Sequence, residues 1–346
     1  MSSFGCYKVL ACGQSNMEMP LFRTESGFED SEHCENENIR YFDVPRRYKK
    51  GKDNYGYNFE DLYVTQEPWK LCTKDTALHF TAIGHYFAAY IQKEIGVPVG
   101  IISCNWGGRR IEAFIEPSYF EELPSLKKQM QEFTAHNESL DMEQYENEYA
   151  HFSKKLEIYI KTRLPEQFER TKKLGVYAAV AKIDLSGFPN SPKGPYDSTS
   201  PATLWNNMFS EIVPFGVRAL LWYQGESNAD DADYCEKYLI FLKCLREQFA
   251  CSMDAYAVEL APYMGSYKMM NETHMDAFVT KQGWAHLREQ QQEATVKGER
   301  NYLVTTQELG ELFDIHPKRK KELSHRLAKK VLCHSYGMDI AAAQTV

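Results

Sequence analysis

The feature that most constrains the fold is an alternation of short apolar runs with amphipathic helical patterns. The apolar runs cover residues 6–12, 39–44, 97–106, 217–224, 254–262 and 301–307. The helical patterns between and after them cover residues 81–96, about 232–250, about 284–297 and about 317–334. Continuous apolar runs indicate strands buried on both faces, and intervening helices indicate parallel pairing. We therefore predict a three-layer α/β/α architecture around a parallel sheet.

One interval, residues 116–200, interrupts this alternation. From about 142 to 164 the apolar side chains recur at spacings of four and three, which predicts one long amphipathic helix that carries Tyr145, Tyr149, Phe152, Leu156 and Tyr159. Residues 185–205 are crowded with Pro, Gly and Ser and predict a loop. We interpret residues 1–346 as a single domain in which 116–200 is a largely helical insertion that helps to wall a cleft.

Composition excludes several classes of partner. The chain has 346 residues, is 43% hydrophobic and carries a net charge of −8, which argues against nucleic acid or acidic membranes as the main partner. No apolar run reaches the roughly 18 residues of a membrane span. The first residues lack a signal-peptide pattern. We therefore expect a cytoplasmic protein as the sequence is written, or a secreted or periplasmic one if the N-terminus has been trimmed.

The nine cysteines are scattered, with no CxxC pair and no cluster with histidine at metal-ligand spacing. Several lie within apolar runs, as Cys12 and Cys104 do. This pattern predicts buried free thiols that behave as small apolar side chains. It predicts neither a zinc site nor any other metal site.

Four polar segments stand where the predicted topology would bring them together. Residues 13–16, 105–110 and 223–228 each follow an apolar run, and residues 313–320 open the last helical pattern. Ligands of an open parallel sheet gather at the carboxyl ends of its strands. We therefore expect these four segments to meet at one edge of the sheet.

The four segments contain the groups that a hydrolytic nucleophile requires. Ser15 lies at a strand-to-helix turn, where its hydroxyl would be exposed, and His316 is the best candidate base. Candidate donors to an oxyanion are the N–H of Ser15, the N–H groups of Gly107 and Gly108, and the side-chain amide of Gln224. The imidazole of His316 should then lie within hydrogen-bond reach of Ser15.

A carboxylate must fix the tautomer of this histidine. Asp314 is the first choice, because it lies two residues before His316. Glu311 and Glu308 are alternatives, and Glu226 is another if the loops permit. The sequence leaves this choice open.

Each residue taken alone has a simpler interpretation. A serine after a strand is usually a helix N-cap, and paired glycines usually form a turn. His316 alone would be a surface or capping histidine, and Glu226 would cap the helix after it. The combination at four predicted strand ends favours a hydrolytic site.

The motifs also resemble a known family. The segments GQSNMEMP, VPVGIISCNWGGRRIEAF, SPATLWNNMFSEIVPFGVRALLWYQGESN and DIHPKRKKELSHRLA closely resemble the sialate O-acetylesterases, a branch of the SGNH hydrolases. The resemblance spans about residues 6–334. It implies a flavodoxin-like α/β/α hydrolase without a metal or other cofactor, which releases acetate through an acetyl-serine intermediate.

Carried onto this chain, the resemblance makes Ser15 the nucleophile and His316 the general base and then acid. The glycine block falls on Gly107 and Gly108, and the amide that asparagine supplies in other SGNH enzymes falls on Gln224. Gln14 and Asn16 would support the nucleophile loop.

The predicted activity is a carbohydrate O-acetylesterase, with 9-O-acetyl sialic acid as the favoured substrate. Acetylated xylan or another acetylated glycan is the alternative substrate. Arg109 and Arg110 would pair with a carboxylate of the sugar, and its ring would stack on aromatic residues drawn from Trp106, Trp205, Trp222 and Tyr223. A catalytically silent sugar-binding module is the alternative of another class, a lipase has no support in the polar loops, and the oligomeric state stays open.

Overall fold

A central sheet organises the chain. The computed structural model describes residues 6–47, 69–180, 188–263, 282–311 and 313–339. Their strands are β1 (Tyr7–Gly13), β2 (Asn36–Asp43), β3 (Lys70–Cys72), β4 (Val99–Asn105), β5 (Ala219–Tyr223), β6 (Asp254–Val258) and β7 (Asn301–Val304). They form a seven-stranded sheet in the order β3-β2-β4-β1-β5-β6-β7. All neighbours pair in parallel except β3, which is antiparallel to β2.

The register of the middle strands places three chain segments side by side. Gly13, at the end of β1, is aligned with Asn105 of β4 and with Tyr223 of β5. The chain therefore leaves three adjacent strands at the same level of the sheet. This is the carboxyl edge at which open α/β sheets bind ligands.

Helices cover the sheet. Those described are α1 (Ser15–Glu18), α2 (Gly27–Ser31), α3 (Lys74–His79), α4 (Ala82–Ile95), α5 (Pro124–Glu138), α6 (Met142–Leu174), α7 (Val176–Val180), α8 (Thr203–Asn207), α9 (Tyr234–Gln248), α10 (Gln282–Lys297) and α11 (Lys320–Tyr336). Helix α4 packs against α11, and α9 packs against α10. The predicted α/β/α architecture is confirmed. Within the described ranges, every helix is too short or too polar to cross a membrane.

Helix α4 shows why its bounds were predictable from the sequence. Thr81 precedes it and accepts a hydrogen bond from the N–H of Gly84, as an N-cap does. Gly96 follows it in the left-handed conformation at φ 66°, which ends the helix. Ile83, Phe87 and Ile91 are fully buried on one face. The predicted helix at 81–96 is confirmed to within one residue at each end.

The helix predicted over residues 142–164 is longer than expected. Helix α6 continues through Pro165 to Leu174, so the predicted end was wrong. A proline inside a helix removes one backbone hydrogen bond, and packing of the later turns accounts for the continuation. The rings of Phe168 and Phe22 pack edge to face, with their centres 5.1 Å apart. This contact brings the second half of α6 against the 3₁₀ turn Leu21–Arg23, which follows α1.

Other boundaries also differ from the sequence prediction. The runs at 254–262 and 301–307 are strands only as far as Val258 and Val304. The last helix begins at Lys320, so Pro317 lies before it and not in its first turn. The reason is a local set of hydrogen bonds, in which the ammonium of Lys318 binds Asp314 and the carbonyl of His316 and holds this stretch as a loop. Within the predicted loop 185–205, residues 185–187 are not described and α8 begins at Thr203.

All nine cysteines are free, as predicted. Five of them are also buried as predicted, whereas Cys6 is exposed and Cys34, Cys251 and Cys333 are partly exposed.

Candidate active site

A close backbone approach creates the turn that carries Ser15. Gly13 has φ 152°, and a Cβ atom there would lie 2.0 Å from the carbonyl oxygen of Tyr223. Only glycine fits such a position. The chain then enters α1 at Ser15, whose own N–H has no acceptor among the described residues. Ser15 therefore begins a helix directly above the carboxyl end of β1.

The structure brings Ser15 and His316 together. The Nε2 atom of His316 lies 2.8 Å from Oγ of Ser15, across 301 positions of sequence. Burial, together with the smaller effects of the charges of Arg23 and Lys320, lowers the pKa of His316 to about 3. The imidazole is therefore neutral near pH 7, and Nε2 is able to accept the hydroxyl proton. The contact predicted from the sequence is present.

Among the described carboxylates, that of Asp314 lies nearest to this ring. Its Oδ1 lies 3.8 Å from Nδ1 of His316, beyond hydrogen-bond distance. That oxygen instead accepts the backbone N–H of His316 at 2.8 Å, and Oδ2 binds the ammonium of Lys318. Asp314 thus fixes the loop around the histidine more directly than it fixes the ring.

The three alternative carboxylates bind elsewhere. Glu311 accepts the backbone N–H of Lys318, and Glu308 pairs with Arg326. Glu226 accepts a hydrogen bond from Asn16. Within the described part of the chain, none of the three comes within 4.0 Å of the imidazole as Asp314 does.

The predicted oxyanion donors divide into two groups. The N–H groups of Ser15 and Gly108 have no acceptor among the described residues, so both are available to a ligand. The N–H of Gly107 donates to a carboxylate oxygen of Glu18. The side-chain amide of Gln224 is fully buried and donates to the carbonyl of Arg109 and to a second amide. Gly107 and Gln224 therefore do not present free N–H groups to Ser15.

Gln14 and Asn16 support the loops on either side of Ser15. Gln14 is almost fully buried, and its Oε1 accepts the backbone N–H of Ser227 at 3.3 Å. The Nδ2 atom of Asn16 donates to Oε1 of Glu226 at 2.6 Å and to the carbonyl of Ile315 at 2.8 Å. Neither side chain is aimed at the Ser15 hydroxyl, as the sequence interpretation expected.

A lysine that the sequence analysis did not single out completes this set of contacts. Lys320 is 1% exposed, and its Nζ donates to Oδ1 of Asn16 at 2.6 Å. Burial lowers its pKa to about 7. A lysine at the start of an ordinary basic helix carries no sequence signal for such a position.

The two arginines predicted to bind a sugar carboxylate have partners within the protein. Arg110 binds the carboxylates of Asp230 and Asp231. Arg109 donates to the carbonyl of Gly107 at 2.8 Å and to the hydroxyl of Ser198 at 2.5 Å. Both guanidinium groups therefore hold loops of the site together, and their pairing with a sugar carboxylate stays a prediction.

The four aromatic side chains expected to stack on a sugar are also placed differently. Trp106, Trp205, Trp222 and Tyr223 are all 5% exposed or less. Their rings are part of the core, because the strand, the helix and the turn that carry them point inward at these positions.

Arg23 is a second residue that the sequence analysis missed. It ends the 3₁₀ turn after α1 and is partly exposed. Its guanidinium makes no side-chain hydrogen bond or ion pair with any described residue, yet its charge lowers the pKa of His316. The backbone N–H of Glu25 bonds to the carbonyl of Lys318, which keeps this turn against the His316 loop. Among the described residues, no side chain pairs with this cation, which lies near the Ser15–His316 contact.

In the described ranges, no group of three or more His, Cys, Asp or Glu side chains is arranged to bind a metal ion.

The chain has a three-layer α/β/α fold, with the serine turn at the carboxyl end of a central strand. The chain is 20% identical over 239 residues to the sialate O-acetylesterase of Mus musculus, covering 64% of this chain and 35% of that protein. No protein-family model matches. The similarity to sialate O-acetylesterases that the motifs indicate is confirmed.

Structural comparison agrees with the fold. A carbohydrate acetylesterase from Xanthomonas citri matches with a TM-score of 0.64 at 22% sequence identity, over 96% of this chain and 57% of that one. The chain thus spans about a third of the length of the mouse protein and somewhat over half of the bacterial one.

Proposed function

We propose that this protein is a serine esterase that removes acetyl groups from sugar hydroxyls. The observation that carries the proposal is the 2.8 Å contact between Nε2 of His316 and Oγ of Ser15. A serine hydroxyl is a weak nucleophile until an adjacent base accepts its proton. A neutral imidazole at hydrogen-bond distance is such a base.

The reaction proceeds in two halves. Oγ of Ser15 attacks the acetyl carbonyl carbon while its proton passes to Nε2 of His316, and the N–H groups of Ser15 and Gly108 stabilise the developing oxyanion. The ester C–O bond then breaks, and His316 returns the proton to the departing sugar oxygen. Water attacks the acetyl-serine with His316 again accepting a proton, and acetate leaves as Ser15 regains its hydrogen.

The relatives support an acetylated carbohydrate as the substrate class. The mouse relative is named a sialate O-acetylesterase, and the matching bacterial structure is that of a carbohydrate acetylesterase. Within this class we propose an acidic sugar, with 9-O-acetyl sialic acid favoured over neutral acetylated xylan. The guanidinium of Arg23, which pairs with no described side chain, supports this choice, because a carboxylate is its natural partner.

Ser15→Ala tests the chemistry. We expect hydrolysis of an aryl acetate to fall by about a thousandfold or more, since loss of a catalytic serine removes the covalent route. A fluorophosphonate probe should label the wild type at Ser15 and leave the variant unmodified. Ser210→Ala is the control, because among the described residues that hydroxyl bonds only to the carbonyl of Asn206, four positions earlier. Equal turnover by wild type and Ser15→Ala would exclude the mechanism.

The same experiment separates the esterase from a silent sugar-binding module. A module would bind acetylated sugars in calorimetry without releasing acetate, and its serine would stay unlabelled in the folded protein.

Arg23→Gln tests the substrate class. We expect kcat/KM for an acetylated sialic acid to fall about ten- to a hundredfold, the effect of one lost charge-assisted hydrogen bond. Turnover of an acetylated xylo-oligosaccharide should stay unchanged, because this sugar has no carboxylate for Arg23 to bind. Arg163→Gln, which removes an exposed arginine paired with Glu166, is the matched control. An equal fall for both sugars would assign Arg23 to the catalytic centre and not to recognition of an acid.

A further inference from the structure

We propose that Lys320 and Asn16 are positioning residues that hold Ser15 and His316 in contact. The proposal rests on the serine-esterase function above. It assigns to a buried lysine a part in the reaction, although this lysine touches neither the serine hydroxyl nor the imidazole.

Asn16 links the two halves of the catalytic pair through its side-chain amide. It directly follows Ser15, and its Nδ2 atom donates to the carbonyl of Ile315, the residue directly before His316. The two residues lie 299 positions apart in the chain. One amide therefore joins the backbone beside the nucleophile to the backbone beside the base.

Lys320 completes the hydrogen bonding of this amide. Nδ2 of Asn16 donates hydrogen bonds to the carbonyl of Ile315 and to Oε1 of Glu226. Oδ1 of Asn16 accepts a hydrogen bond from Nζ of Lys320 at 2.6 Å. With a donor on its oxygen and acceptors on its nitrogen, the amide is held in one orientation. Asn16 is 2% exposed, so no bulk water is available to replace Lys320 as the donor.

The placement of Lys320 is unfavourable on structural grounds alone. The lysine is 1% exposed and begins α11, where the helix dipole disfavours a cation. Its Nζ lies 5.0 Å from the centre of the Tyr223 ring, and burial lowers its pKa to about 7. Replacing buried charged groups by apolar side chains is often neutral or stabilising when no uncompensated charge is left behind. A role in holding the site explains why a cation stands here.

Glu226 supplies the other end of this connection. Its Oε1 accepts from Asn16, while its Oε2 is buried and makes no hydrogen bond to any described residue. Burial raises the pKa of Glu226. The charge of Lys320 acts against this shift, so the two residues offset part of each other's cost of burial. The Glu226–Asn16–Lys320 set thus spans the turn after β5, the nucleophile turn and the start of α11.

Lys320→Met tests the proposal, because methionine has a similar length and removes both the charge and the hydrogen bond. We expect the variant to melt at the same temperature as the wild type or higher. Its kcat for an aryl acetate should fall about ten- to a hundredfold, the usual consequence of a displacement near 1 Å in a catalytic centre. KM should change little. Lys321→Met, at the neighbouring exposed lysine, is the control and should leave kcat unchanged.

Lys320→Gln provides a rescue, since glutamine keeps an N–H donor for Oδ1 of Asn16. We expect its kcat to lie between those of Lys320→Met and the wild type. The double variant Asn16→Ala with Lys320→Met should be no slower than Asn16→Ala alone, because both changes remove the same connection.

The rate of fluorophosphonate labelling at Ser15 separates failure of this inference from failure of the proposed function. A wild type that does not label overturns both. Equal labelling by wild type and Lys320→Met overturns the positioning role alone. Unfolding of both Lys320 variants would show that the lysine is structural, and this result would also overturn the proposal.

Discussion

Asp314 lies nearer to the ring of His316 than any other described carboxylate, yet each of its oxygens has another partner. Oδ1 accepts a hydrogen bond from the backbone N–H of His316, and Oδ2 accepts one from the ammonium of Lys318. The charge of Asp314 raises the pKa of His316, against the larger effect of burial. Asp314 therefore acts on the base through the loop and through its field.

Replacing Asp314 with asparagine tests this role. We expect kcat/KM for an aryl acetate to fall about ten- to a hundredfold, well short of the roughly ten-thousandfold that follows when a hydrogen-bonded triad aspartate is changed. The acid limb of the pH–rate profile should move to lower pH, because loss of the negative charge lowers the pKa of His316 further. Glu308→Gln, which removes a carboxylate paired with Arg326, is the control. A ten-thousandfold loss would instead mean that Asp314 bonds to the ring during turnover.

At the same scale, the sequence identified the reacting groups better than the groups around them. Ser15 and His316 stand in segments whose places in the topology are predictable, and the structure brings them together. The amide of Gln224 is a predicted oxyanion donor, yet Asn228 and Tyr234 hold it inside the protein. Such orientations depend on residues that meet only in the folded chain.

The bounds of a helix were predicted accurately where residues at its two ends carry the start and stop signals. Thr81 and Gly96 bracket α4, and both are visible in the sequence. The prediction failed for α6, because the stop signal at Pro165 is overridden by contacts of Phe168 with a turn far away in sequence. Strand β3 was also missed, since three residues paired antiparallel at an edge carry too short a pattern.

The long α6 helix relates the insertion to the site. Its second half packs against the turn Leu21–Arg23, whose last residue pairs with no described side chain. The expectation that residues 116–200 help to wall a cleft stays a prediction, and this contact is the observation that supports it.

Over the whole molecule, the convergence of the four polar segments followed from topology alone. Gly13, Asn105 and Tyr223 end adjacent strands at one level, so the three loops after them had to meet. The fourth loop reaches them from β7 at the far edge of the sheet and is held by the Asn16–Ile315 contact. That last connection has no counterpart in a sequence pattern.

The pH dependence of stability gives a whole-molecule test of the buried lysine. In the folded protein, burial lowers the pKa of Lys320 from an ordinary 10.5 to about 7. The positive charge of Lys318 contributes to this lowering, whereas the negative charges of Glu226, Glu311 and Asp314 oppose it. Between these two values the unfolded chain binds a proton that the folded chain has released. The free energy of unfolding contributed by this group therefore rises with pH over that window and is flat below it.

Urea denaturation of wild type and Lys320→Met from pH 6 to 9 isolates this effect. We expect the stability advantage of the methionine variant to be largest at pH 6 and to shrink steadily above pH 7. Cysteine thiols whose pKa values are raised by burial, such as Cys235 and Cys244, contribute with the opposite sign. They are common to both proteins, so they cancel in the difference. A difference that stays constant from pH 6 to 9 would mean that Lys320 keeps its proton in the folded protein, and the buried ammonium would then be held by its partners more strongly than burial disfavours it.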